Sequence, residues 1–397
     1  MTNKKDKFQV VIVGGAGHVG IPLALSFAHV GIKTLIYDID RQAIEKIKAG
    51  QLPFLENGGE ALLKEALDNR LLFCTLDKSQ LKNCDAIIFT IGTPIDEFLN
   101  PVNKAVKNCI DEILPYIEDN QLVILRSTIF PGTTEWFGEY FKSKNKKIKV
   151  AFCPERIVQG NGINELKTLP QIISGTTEEA AQEAAKLFLK ISPEVVFVKP
   201  KEAEFAKLFN NAYRYIEFAA ANQFYMIAHS AGVDYQKVMH AMKYHYPRSS
   251  KMPGPGFSAG PCLLKDTMQL AAFSGNQFSL GHSAMLINEG IVLYIVNQLE
   301  RDFDLKNLRV GILGMAFKAD IDDSRSSLSY KLKKILSFKA KEVLITDPYV
   351  EDREIVCLDE LINKCDIFIL CAPHKVYQGI DLKDKPIVDI WGFFEKK

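Results

Sequence analysis

Two short segments of this chain hold residue types that do chemistry. The first surrounds Cys262 in "PGFSAGPCLLKD", where the neighbours have little bulk and Lys265 and Asp266 follow closely. An ordinary thiol, with a pKa of about 8.5, is only a few per cent thiolate at neutral pH, and an ammonium such as Lys265 raises that share. Cys262 is therefore a candidate nucleophile. Composition alone leaves the role of a small buried apolar residue equally open for it, and that role is assigned to the other cysteines (74, 84, 109, 153, 357, 365 and 371), which mostly lie in strand- or helix-like stretches.

The second segment is "GGAGHVG", in which Gly15, Gly17 and Gly20 give G-x-G-x-x-G between an apolar strand and the helical stretch "IPLALSFAHVG". In such a loop the first glycine permits a tight turn and the second lets backbone approach a pyrophosphate. The third lets the helix pack against the strand. The pattern alone is weak. Asp38, at the end of the next strand, strengthens it, because a carboxylate there accepts a bond from a ribose 2′-hydroxyl and repels a 2′-phosphate, favouring NAD over NADP. Arg41 softens that preference, and His18 is expected to be an exposed bystander of the loop. Farther on, Glu204, Lys207 and Asn211 fall on one stripe of a helical pattern. A solvated edge is the ordinary reading of such a stripe, and a polar patch facing a pocket is the alternative.

These residues need a frame. Apolar runs alternate with helical stretches through the first 200 residues ("FQVVIVG", "KTLIYDI", "DAIIFTI", "QLVILRST", "KVAFCPE", "EVVFV"), as in a parallel sheet with crossover helices. The last part repeats the scheme: "LRVGILGMAFK" answers "FQVVIVGGAGH", "KEVLITDPY" answers "KTLIYDIDR", and "CDIFILCAP" answers "CDAIIFTIGTP". The expected fold is α/β, two Rossmann-like doubly wound domains joined by a long central helix. The expected boundaries are 1–200 for the first domain, 201–300 for a helical region with the cysteine loop, and 301–397 for the second domain. Phe205, Leu208, Phe209, Ala212, Ile216 and Ala220 would form the apolar face of the long helix. Apolar surface of that kind points to a homodimer, although packing within one chain would use it equally.

Composition narrows the function classes. Lys and Arg (49) balance Asp and Glu (48), so no overall field draws in nucleic acid or an anionic membrane. The cysteines show no zinc spacing, and no metal is expected. Lys4, Lys5 and Lys7 ahead of an apolar run resemble the start of a secretory signal, but the glycines and Pro22 that follow argue against one. No run has the length of uncharged apolar sequence that a membrane span needs, and a cytoplasmic protein is expected.

In order along the chain, "GGAGHVG", "RSTIFPGTT", "CPERIVQG", "EFAKLFNNAYR", "GPGFSAGPCLLKD" and "GMAFKADIDDSRSS" resemble the successive signatures of the UDP-glucose/UDP-N-acetylmannosamine dehydrogenase family. The resemblance implies NAD on the first domain and a UDP-sugar in the cleft between the two. It implies a nucleophile at Cys262, with Lys207, Asn211, Asp266, Thr128 and Glu155 at the reaction centre. Gly15, Gly17, His18, Val19, Gly20, Asp38, Thr93, Thr128, Lys265 and Arg325 would then contact the cofactor. Glu155, Arg156, Lys207, Asn211, Arg248, Gly256, Phe257 and Lys318 would contact the substrate. On this basis the C6 alcohol is oxidised to a carboxylate in two hydride transfers. Cys262 captures the intermediate aldehyde, and Glu155 assists the water that ends the sequence.

Ser258 and Ala259 depart from the G-F-G-G that the family often carries here. "STIFPGTTE" and "CPERI" resemble the branch acting on N-acetylated UDP-hexosamines, whereas the lysine of "CLLKD" is more typical of the glucose branch. Two further readings compete: a β-hydroxyacid dehydrogenase, with a helical lysine and no cysteine nucleophile, and a nucleotide sensor without turnover.

Overall fold

A computed structural model describes residues 7–93, 96 and 104–394. Lys4 and Lys5 of the signal-like segment lie outside the described residues. The chain divides into two units, 1–209 and 210–397.

The first unit is built on β1 (Phe8–Val13), β2 (Thr34–Tyr37), β3 (Leu72–Thr75), β4 (Cys84–Phe89), β5 (Leu122–Leu125), β6 (Lys149–Phe152), β7 (Gln171–Gly175) and β8 (Val195–Phe197). They form one sheet in the order β3-β2-β1-β4-β5-β6-β7-β8. Central strands of a parallel sheet are covered on both faces, which is why β1, β4 and β5 read as unbroken apolar runs. Val10 and Ile12 enter a core with Leu23 and Phe27 of the first helix, Gly20–His29. Val11 and Val13 enter a second core on the opposite face with Val106, Ile110, Phe137 and Phe141. All pairings are parallel except that of β6 with β7. The apolar-run reading missed β3 and β7, and with them this reversal: "LFCT" and "QIISG" are short, and each mixes small or polar residues into the strand.

The second unit repeats the plan with β9 (Arg309–Leu313), β10 (Glu342–Thr346), β11 (Ile367–Leu370) and β12 (Ile387–Val388), ordered β10-β9-β11-β12 and all parallel. Val310 and Ile312 pack with Ile291, Val292 and Ile295 on one face, and Leu313 packs with Leu361, Phe368 and Leu370 on the other. The fold is thus two doubly wound sheets linked by a helix of 31 residues, Pro200–Ser230.

The buried stripe of that helix is not the expected one. Leu208 and Ala212 are buried, but Phe209 is 54% exposed, and Glu204, Asn211, Tyr215, Ala219 and Asn222 complete the buried face. Among the described residues one helix, Ser279–Asp302, is long and apolar enough to cross a membrane by length and composition. Its apolar stripe is used in the core of the second unit. Its buried Asn288 donates to the Tyr215 carbonyl at 2.9 Å and accepts from Asn222 at 2.9 Å.

Candidate active site

In the first unit the candidate residues collect at the carboxyl ends of the strands, where open α/β sheets bind ligands, and the order reverses between β1 and β4. The turn after β1 is made by Gly14, the left-handed residue (φ +74°), rather than by Gly15. The Gly14 N–H donates to the Tyr37 carbonyl at 2.9 Å. Gly15 is required for space: a Cβ there would stand 2.7 Å from the Ile12 carbonyl oxygen. Gly20 is tighter, since its Cβ would lie 2.4 Å from the Cα of Gly15. At Gly17 a Cβ would meet only the Gly14 oxygen at 3.7 Å, so this position has room that Gly15 and Gly20 lack. Val19 is the N-cap of the helix and makes no side-chain capping bond, while the Ile21 N–H donates to the Gly17 carbonyl at 3.0 Å. Asp38 accepts from the Ala16 N–H at 2.9 Å on Oδ2 and from the Asp40 N–H at 3.0 Å on Oδ1, which leaves acceptor capacity on both oxygens. The loop and carboxylate therefore fit a dinucleotide. His18 is no exposed bystander, because its ring stacks on Phe54 with centroids 3.9 Å apart.

Thr93 and Thr128, both half-buried, follow β4 and β5. Ser127 ties their segments together, donating to the Ile91 carbonyl at 2.6 Å, and Thr90 donates to the Gly14 carbonyl at 2.9 Å. Beside them Arg126 is fully buried. Its Nε donates to Glu155 Oε2 at 2.7 Å, its Nη2 pairs with the same oxygen, and it also reaches the Cys153 carbonyl and Gln171. The other oxygen of Glu155 accepts from the N–H groups of Arg156 (2.7 Å) and Ile157 (2.9 Å). A carboxylate offers about four acceptor positions. The two backbone N–H groups and the Arg126 guanidinium together occupy these positions and hold the loop that carries Glu155. Arg156 turns its guanidinium to the Pro170 carbonyl.

Glu204 also departs from its ordinary reading as a solvated edge. It is 1% exposed and caps the helix Thr133–Ser143, accepting from the Gly132 and Thr134 N–H groups and from the Thr134 hydroxyl at 2.5, 2.8 and 2.6 Å. Burial raises its pKa, and the three donors oppose that rise. A carboxylate at a helix N-terminus meets unsatisfied N–H groups and the positive end of the dipole. Nothing in "EFAKLFNN" alone signals that partner. Lys207 is half-buried on the same helix, one turn before Asn211.

In the second unit Cys262 is exposed and is the N-cap of the helix Leu263–Phe273. A thiol at a helix N-terminus is favoured as thiolate. Directly behind it Asp266, fully buried, accepts from the Asn211 amide at 2.5 Å and pairs with Lys265 at 3.2 Å. The ammonium expected to activate the thiol is thus engaged by a carboxylate. Arg325 is the second cation: it forks onto Asp323 through Nε and Nη2, and this bond raises its pKa against the opposing effect of burial, with the charge of an ionised Cys262 adding to the rise.

The loop ahead of the cysteine is fixed by close packing. A Cβ on Gly256 would stand 2.2 Å from the Trp391 ring, and the Gly256 N–H donates to Asn222 at 2.8 Å. The Phe257 ring is 4% exposed and packs in the core of the second unit, which anchors the loop. Arg248 is exposed and bonds the Tyr246 hydroxyl at 2.9 Å. Lys318 is half-buried in the segment after β9. Among the described residues no group of histidines, cysteines and carboxylates could hold a metal ion.

A dinucleotide loop on one sheet, a second sheet of the same plan and an exposed cysteine at a helix N-terminus define an NAD-dependent nucleotide-sugar dehydrogenase. Residues 9–192 match the NAD-binding domain, 201–290 the central domain and 311–396 the UDP-binding domain of the UDP-glucose/GDP-mannose dehydrogenase family, and the chain belongs to that family. The UDP-N-acetyl-D-mannosamine dehydrogenase of Methanocaldococcus jannaschii is 30% identical over 94% of this chain and 88% of its own length. The solved UDP-D-ManNAc dehydrogenase from Pyrococcus horikoshii superposes with a TM-score of 0.87 at 29% identity, over 94% of this chain and 91% of that one. A UDP-glucose dehydrogenase from Pyrobaculum islandicum gives 0.88 at 25% identity, over 98% and 95%.

Proposed function

We propose that this enzyme oxidises the C6 alcohol of a UDP-N-acetylhexosamine, N-acetylmannosamine or N-acetylglucosamine, to the uronate. Cys262 is the nucleophile, and its exposed place at a helix N-terminus, backed by Asn211, Asp266 and Lys265, is the observation that carries this reading. The balance is one alcohol, two NAD and one water giving one carboxylate, two NADH and three protons. Gly15, Gly17, Gly20 and Asp38 would hold NAD, which when bound would supply the hydride acceptor for both oxidations.

The protein's own groups do the rest. As C6 becomes an aldehyde, its hydroxyl proton leaves through water to Asp266, with Lys207 supplying positive charge. The Cys262 thiolate adds to the aldehyde carbon, and the resulting alkoxide meets the cation of Lys207 and the amide of Asn211. Loss of the second hydride leaves a thioester. Water then attacks that carbonyl, the C–S bond breaks, and the thiolate returns. Thr128 contributes a hydroxyl beside the loop that Glu155 and Arg126 hold. Arg325 supports the thiolate, and Lys318 and Arg248 meet the anionic nucleotide.

The test is stoichiometry across UDP-N-acetylmannosamine, UDP-N-acetylglucosamine, UDP-glucose and UDP-galactose. Two NADH per N-acetylated sugar, with turnover lost in Cys262→Ala, is the expected result. One NADH per substrate with an active Cys262→Ala variant overturns the mechanism and favours a β-hydroxyacid dehydrogenase. UDP-glucose dehydrogenation is the second reading, since the fold likeness to such an enzyme is as high as to the others. Preference for UDP-glucose in the same assay decides for it. A homodimer is proposed on the exposed Tyr213, Phe224 and Ile227 of the long helix together with Leu286 and Leu293. A cytoplasmic setting is proposed because none of the eight cysteines is in a disulfide.

A further inference from the structure

The second unit buries a histidine that the proposed reaction does not use. His374 is fully buried, and its Nδ1 accepts the Asp320 backbone N–H at 2.9 Å. A backbone N–H can only donate, so the ring proton sits on Nε2, which faces Asp347 Oδ2 at 3.0 Å. The other groups around the ring are the edge-on rings of Tyr349 and Tyr377 and, beyond Asp320, Lys375, whose N–H donates to Asp320 Oδ1 at 2.9 Å. Asp320 itself is left-handed (φ +57°), a conformation that costs a non-glycine residue about 1 kcal/mol and persists only where its surroundings hold it.

The segment pinned in this way carries function. It runs from Gly314 to Ser327 and contains Lys318 and Arg325. It is closed on itself by Phe317 N–H to the Asp323 carbonyl (3.0 Å) and Ser327 Oγ to the Ala316 carbonyl (3.2 Å). The Phe317 ring lies 2.6 Å from where a Cβ of Gly260 would be, two residues before Cys262, and the Gly260 N–H reaches the Ser326 carbonyl at 3.4 Å. One imidazole therefore holds the middle of a segment whose sides bear two cations and the seat of the cysteine loop.

We propose that His374 is a positioning residue for nucleotide-sugar binding: neutral and protonated on Nε2, it keeps the 314–327 segment in its binding conformation before the ligand arrives. Histidine suits the place because it offers an acceptor and a donor on opposite edges of one rigid ring. Preorganisation of this kind raises affinity by removing the ordering cost from the binding step. The inference rests on the reading of this unit as the nucleotide-sugar site. If the wild type turns over no nucleotide sugar, that reading has failed and His374 is not at issue.

The test uses the full-length enzyme and two variants that split the ring's functions. Asn places an acceptor near Nδ1, and Gln places a donor near Nε2. His374→Gln is expected to raise KM for the UDP-sugar about tenfold, equivalent to about 1.4 kcal/mol, with kcat and the KM for NAD nearly unchanged. His374→Asn recovers most of that loss. A Lys318→Met change is expected to add less in the His374→Gln background than in the wild type. Equal KM in all three proteins, or equal damage from Asn and Gln, overturns the proposal. If neither variant folds, hydrogen exchange of the 314–327 segment in the wild type decides. Slow exchange without ligand supports the proposal, and fast exchange that slows only on adding UDP overturns it.

Discussion

After β1 and after β9 the backbone makes the same turn. Gly14 and Gly314 are both left-handed (φ +74° and +90°), and each donates to the carbonyl at the end of the neighbouring strand, Tyr37 or Thr346, at 2.9 Å. Two residues later Ala16 donates to Asp38 at 2.9 Å and Ala316 to Asp347 at 3.0 Å. From there the two loops part. The first continues through Gly17 and Gly20 directly into a helix, whereas the second carries Met315, Phe317 and Lys318, and its next helix begins only at Leu328. Asp38 is half-exposed with acceptor capacity left. Asp347 is buried and accepts from Met315, Ala316, Tyr349 and Val350 N–H groups and from His374. In the paired strands His374 answers Thr93. One duplicated carboxylate thus remains available to a ligand, and the other has become part of the scaffold that presents the loop.

The largest way to break this comparison is at Gly20. A methyl there meets backbone at 2.4 Å that cannot yield, so Gly20→Ala is expected to prevent folding of the first unit, seen as insoluble protein or loss of its cooperative melt. Gly17→Ala has room and is expected to keep the wild-type melting temperature while NAD binding weakens. A folded Gly20→Ala enzyme with normal NAD affinity would contradict the packing described.

Next in size is the contrast between the two aspartates. Asp347→Asn replaces a buried anion that accepts from four backbone N–H groups and His374, and is expected to cost about 3 kcal/mol in urea unfolding at pH 7. Asp38→Asn is expected to cost less than about 1 kcal/mol, because its side chain is half-exposed. The pH dependence sharpens this. Burial works against the ionised form of Asp347, but His374 and the backbone donors outweigh it and hold the carboxyl below the usual range. The stability from this group is therefore present above the unfolded value of about 4 and is lost as pH falls through the lower folded value. Asp347→Asn should flatten that part of the acid limb.

Much of this was legible beforehand because it rests on local rules. Alternating apolar runs, the glycine spacing after β1 and the carboxylate Asp38 after β2 together point to a dinucleotide fold, and the repeated strand order exposes the duplication. Cys262 stood out through its loop. What stayed hidden depends on partners distant in sequence. Glu204 looks like a surface charge until Gly132 and Thr134 are beside it, and Arg126 is one arginine among many until Glu155 and Gln171 surround it. Phe257 carries no mark that separates a core ring from a ligand contact. Asp347 looks as much like a ribose acceptor as Asp38 does, and only His374 and the four N–H groups show otherwise.

The smallest effect concerns cofactor choice and isolates the first aspartate from the second. On the proposed reading the Asp38 carboxylate would face a ribose 2′-hydroxyl and repel a 2′-phosphate, and Arg41 is exposed at the start of the following helix. Removing the charge with Asp38→Asn should weaken NAD binding and relieve repulsion of NADP. The ratio of kcat/KM for NAD over NADP is expected to fall about tenfold, or about 1.4 kcal/mol. Adding Arg41→Ala should restore part of the preference for NAD, since no cation then meets the phosphate. The second unit makes the control: Asp347→Asn, at a temperature where it remains folded, should leave that ratio at the wild-type value. A change there equal to the change from Asp38→Asn would mean that both carboxylates still face a dinucleotide, and the division of labour between the two loops would be wrong.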